Sequence, residues 1–399
     1  MATLAGADRD ASPKFLCYSI TAERIALEYE RVGDDPSRFD AQRVVRLDAR
    51  PRTPLGPRTV RLRVLAISVE HNALHAARAE PVNIVALRGG SIVPGNSFVA
   101  EVAECGDAVS LVNEGDIVMP GDNLTHDRYG FPLRAWAYDE PDSVGCFAQE
   151  VVLPEVQLRR VPLDCGLNLW ELAALPVKGP SAYHLWRRGI DLFRAKVPRE
   201  RISALNVLGF GGGVSELFLM LARNEAHRAF YCARNPVRLS RMAARGIEVI
   251  DQRSFNGFKT SDDLAAFRRE IRARTSGAGM HLVCDMLRGA HFDAALTATA
   301  RGAVVVSSGW QLGPQLSYNA ALLSVRQITL DHAHIETRAG LAAAAHLFGA
   351  PLRPLVHDEI YDFSQLPRAL QELQEGVHTG IPVVRVASDL PQSVRHLVP

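Results

Sequence analysis

The segment LNVLGFGGGVSELFLMLAR, Leu205–Arg223, constrains this chain more than any other. An apolar run of strand length meets a glycine cluster, and the cluster opens into an apolar run of helical length. Glycines at a strand-to-helix turn let the backbone approach a ligand. The helix N-terminus behind them offers free N–H groups and partial positive charge. The segment therefore predicts the first turn of a dinucleotide-binding α/β fold, with Gly209, Gly211, Gly212, Gly213 and Val214 at the diphosphate. Two residues are unusual. Phe210 brings bulk to a turn where small residues are the rule, and is expected to crowd the diphosphate. Ser215 stands where a glycine normally lets helix and strand pack, and serine is only slightly larger.

Strands and helices alternate around this turn. Leu205–Leu208, Ala229–Cys232, Ile247–Ile250, MHLVCDML and GAVVVSSG read as buried strands. Val214–Arg223 and DLAAFRREIRART read as helices, as does Pro236–Arg245 with Asn235 as its cap. Such alternation argues for a parallel, doubly wound sheet. Residues 15–180 read instead as strands and turns, as in TVRLRVLAISV, with a helical stretch from Trp170 interrupted near Pro180. Leu323–Pro399 returns to mixed strand and helix. The expected fold class is α/β: a β-rich domain made of residues 1–182 and 323–399, with a Rossmann-type sheet at 183–322 inserted between its halves.

The end of the second strand reads CARNPVRLSR. An NAD site usually places an acid about 20 residues past the glycine loop, on the ribose hydroxyls. No acid is there. Arg234, with Arg238 and Arg241 behind it, favours the extra phosphate of NADP(H); a solvated basic helix is the alternative.

Totals exclude other classes. Net charge is +1 and no run of basic residues forms a stripe for phosphate backbones, so no nucleic-acid partner is expected. The N-terminus lacks the apolar core of a secretory signal, and no run approaches the ~20 apolar residues that span a bilayer. Six dispersed cysteines suit a reducing cytoplasm and give no support for a cysteine-based zinc cluster. His71, His75, His332 and His334 fall in two separate segments without cysteines at ligand spacing, so no metal is expected. Tyr183 and Trp186 read as packing. Asp285 ends a strand, where it serves either a ligand or a helix cap. Ser307, Ser308 and Gly309 follow the next strand as cavity lining or as a plain turn. Lys178 is an acid, a carboxylate-binding group, or a surface lysine.

From about Phe15 to Val386 the chain resembles the medium-chain dehydrogenase/reductase superfamily, through PGNSFVAEVAECGDAVSLVNEGDIV, ELAALPVKGPSAYHLW and the glycine loop. The resemblance implies that the β-rich domain is GroES-like. Zinc members carry a cysteine in the early loop and a Gly-His-Glu later; here those places read SVEHNAL and PGNSF, so the resemblance is to zinc-free members. Among them the chain resembles the crotonyl-CoA carboxylase/reductases and related enoyl-thioester reductases, through HNALHAA, RAWAYDEPDSVGCFAQ and RQITLDHAH. What this implies is NADPH-dependent reduction of an α,β-unsaturated acyl thioester, on CoA or an acyl carrier protein, followed by capture of CO2 or of a proton. By position the family's CO2 pocket becomes Asn72, Tyr138, Asp139 and His332, and Ser181 and Ser308 fall beside the cofactor. Asp139 is shorter than the family's glutamate by one C–C bond, ~1.5 Å, and His71 and His75 replace a tyrosine and a tryptophan. These departures favour plain reduction over carboxylation. The resemblance also implies a homodimer or homotetramer. The alternative is a degenerate member with a non-redox role in a biosynthetic pathway.

Overall fold

The computed structural model describes residues 13–121, 124–333, 347 and 352–399; His334 lies outside them. Six strands form one sheet in the order Glu248–Asp251, Arg228–Ala233, Asn206–Phe210, Met280–Asp285, Thr299–Ser307, Thr329–His332, and every neighbouring pair is parallel. The order reverses at Asn206–Phe210, the strand that feeds the glycine turn. In open sheets of this kind ligands gather at that reversal, outside the strand C-termini.

Both faces of the sheet are covered, which is why its strands read as apolar runs rather than alternating ones. Val207, Leu282, Val304 and Val306 face Trp186, Ile190 and Phe218 on the helices Lys178–Arg194 and Val214–Asn224. Leu208, Phe210, Val283 and Val305 face Phe267, Ile271 and Phe292 on Ser261–Arg274 and Ala290–Ala298. Asn235 caps the helix Pro236–Ala243 by accepting from the N–H groups of Val237 and Arg238, at 3.0 and 3.2 Å. The helical stretch after Trp170 breaks at residues 175–177 rather than at Pro180, between Leu169–Ala174 and Lys178–Arg194. Pro180 lies in the first turn of the second helix, where a missing N–H costs nothing.

The β-rich unit is built around Thr59–Ser68, which pairs antiparallel with Phe98–Cys105, Glu150–Pro154 and Ile381–Arg385. The last pairing sets Val383 opposite Ser68 and so brings the C-terminal part of the chain back beside residues 68–70. Thr329–His332, expected in this unit, is instead the sixth strand of the parallel sheet, because its backbone continues the ladder from Val304–Ser307. The sheet therefore runs past the boundary placed at residue 322. The helix Ala22–Val32, capped by Thr21 and ended by Gly33 at φ 57°, is the longest helix of this unit before residue 169 among the described residues.

Candidate functional site

A cavity of about 680 Å³ opens where the C-terminal ends of the parallel strands meet the β-rich unit. The glycine turn forms its middle. Gly211 and Gly213 adopt φ of 89° and 60°, which side-chain-bearing residues rarely reach. A Cβ on Gly213 would come within 2.7 Å of the Lys178 side chain, and one on Gly212 would overlap the Arg238 guanidinium. Gly209 does not line the cavity. A Cβ there would press on Leu219 and Ser215 at 3.0 and 3.3 Å, so Gly209 provides the close packing of strand and helix. Ser215 is accommodated by donating its hydroxyl to the Phe210 carbonyl, 2.6 Å away.

Phe210 does not crowd this turn. Its ring is fully buried on the opposite face of the sheet, 6.1 Å from Phe258, 6.1 Å from Phe267 and 5.7 Å from His291. What fronts the turn is charge. Glu216, in the first turn of Val214–Asn224, accepts from the Gly213 N–H at 3.0 Å and from Arg238 and Tyr231 at 3.0 Å each. Arg238 also donates to the carbonyls of His378 and Gly380, at 3.1 and 2.6 Å. Its donors are thus committed to holding the two units together, in contrast to the free phosphate contact expected of it.

At one end lie Arg234, Gln252, Lys259 and His291. Arg234 and Lys259 are exposed and have no ion-pair partner among the described residues. Lys259 escaped the sequence reading, although it follows a turn after the third strand, at the edge where ligands bind. His291 is buried, and neither ring nitrogen has a partner among the described residues. Burial, with Arg234 nearby, pushes it down to about 4.

The other end is formed by residues 69–72, His75, Ser181 and residues 308–312. Trp310 faces His75 with ring centroids 6.0 Å apart. Lys178, neither a surface lysine nor free, forms a buried ion pair with Glu70, whose other oxygen accepts from Ser68 at 2.6 Å. His71 is driven down to about 3, chiefly by burial and then by His75, Lys178 and Arg238, so it is a neutral ring. Its Nε2 has no partner among the described residues. Ser181 and Ser308 both line the cavity, with hydroxyls turned to the Val177 carbonyl and the Met286 sulfur. Asp285 is a cap: one oxygen accepts from the N–H groups of Leu287 and Arg288. Trp186 packs in the core and donates to Glu225 at 2.6 Å.

Of the four residues expected to form one CO2 pocket, only Asn72 lines the main cavity. Tyr138 and Asp139 border a separate pocket of about 250 Å³ beside Ile84 and Arg88. The Asp139 carboxylate turns back to the Ala135 N–H at 3.1 Å, and the Tyr138 hydroxyl accepts from the Gly95 N–H at 3.3 Å. His332 lines neither; it is exposed at the end of the edge strand, 3.1 Å from Arg288.

Comparison with known proteins agrees with this architecture. Residues 56–163 match the alcohol dehydrogenase GroES-like domain, and residues 248–384 match the zinc-binding dehydrogenase domain. The two domain matches agree with the resemblance to the medium-chain dehydrogenase/reductase superfamily. Cinnamyl alcohol dehydrogenase 5 of Arabidopsis thaliana is 25% identical over 187 residues; the match spans 43% of this chain and about half, 48%, of that relative. Among solved structures, a 2-octenoyl-CoA carboxylase reductase in complex with NADP and 2-octenoyl-CoA superposes with TM-score 0.77 at 19% identity, over 96% of this chain and 91% of that one. A crotonyl-CoA carboxylase/reductase in complex with NADP gives 0.75 at 20%, over 95% and 98%. A putative alcohol dehydrogenase from Sinorhizobium meliloti gives 0.71 at 19%, over 94% and 100%. Likeness at this identity defines the fold.

The end of the cavity formed by residues 69–72 and His75 does not fit a catalytic zinc. Its carboxylate, Glu70, is held by Lys178 and Ser68. Cys232, the one cysteine lining the cavity among the described residues, is buried in the second strand of the parallel sheet.

Proposed function

We propose that this protein is an NADPH-dependent reductase of an α,β-unsaturated acyl thioester. The observation that carries the reading is the charge of the cavity. Lys178, Arg234, Arg238 and Lys259 line it against one carboxylate, Glu70, among the described residues. A site so cationic suits a polyanion. Arg234, at the end of the second strand, and Lys259 stand where a dinucleotide fold meets the adenosine ribose, and neither is spent on an ion pair. The N–H groups of Gly212 and Val214 at the start of the helix suit a diphosphate, whereas the Gly213 N–H and the Arg238 donors are held by Glu216 and two backbone carbonyls.

NADPH, when bound, supplies the hydride that the β-carbon of the enoyl group takes up. The electron pair displaced from the double bond moves onto the thioester oxygen. Donors fixed in advance at that oxygen stabilise the developing enolate. The Asn72 amide and the neutral His71 ring are among the uncharged donors at this end of the cavity, and Lys178 is charged. A proton at the α-carbon completes the reduction. Dispersal of Asn72, Tyr138, Asp139 and His332 over separate places favours a proton rather than CO2 as the electrophile.

The test is consumption of NADPH with a series of enoyl-CoA thioesters, with and without bicarbonate, followed by product mass. The account expects a gain of two hydrogens, the same in both conditions. A carboxylated product contradicts the plain reduction, and no consumption with any thioester contradicts the reductase. One observation favours a second reading, a member with an altered cofactor site: Arg238 covers Gly212 and is tied to Glu216. It predicts that nucleotide binding appears only in Arg238→Ala.

A further inference from the structure

Away from the substrate end, three side chains converge behind the loop that joins the helix Leu366–Glu375 to the strand Ile381–Arg385. These are His357, Glu372 and His378, and one nitrogen or oxygen of each lies within 4.8 Å of the other two. Tyr361 spends its proton on Glu372 Oε2 at 2.5 Å. The other oxygen of Glu372 is oriented by Arg368 Nε at 2.7 Å. His378 is buried; its Nε2 lies 3.0 Å from the Tyr361 oxygen and 3.7 Å from Glu372 Oε2. Its Nδ1 has no partner among the described residues.

His357 shows the outer arrangement that metal-binding imidazoles use. Its Nδ1 is 2.9 Å from the Thr379 hydroxyl, and that hydroxyl gives its own proton to Asp358 at 2.7 Å. The Thr379 N–H donates to the same nitrogen from 3.1 Å, so two groups of Thr379 hold the ring at Nδ1. An imidazole held at one nitrogen by outer partners presents the opposite nitrogen in a fixed direction.

We propose that His357, Glu372 and His378 bind one divalent transition-metal ion of the zinc class, with a water as fourth ligand. Two imidazoles and a carboxylate are a zinc-type ligand set, and zinc holds such atoms at ~2.0–2.2 Å. Side-chain rotations close the remaining gap. The site is structural in position. The His378 carbonyl accepts from Asn235 and Arg238, and the Gly380 carbonyl from Arg238, so the ion would stiffen the loop on which the two units meet.

The experiment titrates chelator-treated, full-length protein with zinc and cobalt(II) chloride by calorimetry, without nucleotide, so its outcome is independent of the reductase reading. One ion per chain is expected, with the visible absorption of four-coordinate cobalt(II). Thr379→Val should weaken binding ~10–100-fold, as loss of an outer hydrogen bond does. Glu372→Gln, which keeps the side-chain shape, should weaken it further, and His396→Ala on the surface should leave it unchanged. No binding heat with the wild-type chain overturns the proposal. So does binding that survives in Glu372→Gln and His357→Ala alike.

Discussion

Removing the ammonium of Lys178 should cost far more than losing a surface lysine. Its side chain is 12% exposed and that of Glu70 8%, and the two form an ion pair between the β-rich unit and the first turn of Lys178–Arg194. In Lys178→Met the methylene stem against Gly213 is kept but Glu70 stays buried, with Ser68 as its remaining partner. Leaving one charge of a buried pair uncompensated costs ~3–5 kcal/mol. Glu70→Gln in the same background removes the stranded charge while retaining the bond from Ser68, and should restore most of that loss. The double-mutant cycle should therefore give a coupling of ~2–3 kcal/mol. Urea unfolding of the four proteins at pH 7 measures it, with unchanged slopes showing that the midpoints report stability. A Lys178→Met cost below ~1 kcal/mol, or additive single changes, would refute the claim that this pair is buried and mutually dependent.

Other outcomes follow from the same geometry. Arg234→Ala and Lys259→Ala should each weaken NADPH ~10–100-fold, the loss of a charge-assisted hydrogen bond of ~1.5–3 kcal/mol, and leave NADH unchanged, as read by calorimetry. Phe210→Ala should destabilise the chain by ~3–5 kcal/mol through a cavity among Phe258, Phe267 and His291, yet leave NADPH affinity within ~3-fold of wild type once folding is confirmed. His291 titrates at about 4 when folded and at ~6.5 when unfolded. The unfolded chain thus binds more protons between those values. Stability is full above pH ~6.5 and falls toward pH 4 by up to ~1.4 kcal/mol per unit. His291→Phe should flatten that slope in denaturation curves taken across the range.

The parts legible in the sequence were those fixed by local rules. The glycine turn, the Asn235 cap and the alternation of strands with helices each follow from a few adjacent residues. Even the direction of Phe210 was available: in NVLGF, side chains two apart share a face, which sets Phe210 with Leu208 and away from the turn. The Ala22–Val32 helix also carried its signals, a threonine cap and a glycine stop. Arg238 was beyond such reading, because its carbonyl partners lie 140 residues away in His378 and 142 in Gly380. The CO2 pocket carried over by position meets a similar limit. Type and position of Asp139 matched, but the turn that returns its carboxylate to the Ala135 N–H is a property of the loop's own path. His357, Glu372 and His378 come from a strand, a helix and a loop, and no spacing rule joins them.

Thermal or chemical unfolding in the presence of each nicotinamide nucleotide tests the central claim most directly. With NADPH at ~100 times its dissociation constant the account predicts ~2.7 kcal/mol of stabilisation, and little with NADH at the same concentration. Equal shifts with both would contradict the role given to Arg234 and Lys259. No shift with either at millimolar concentration would contradict the reductase itself.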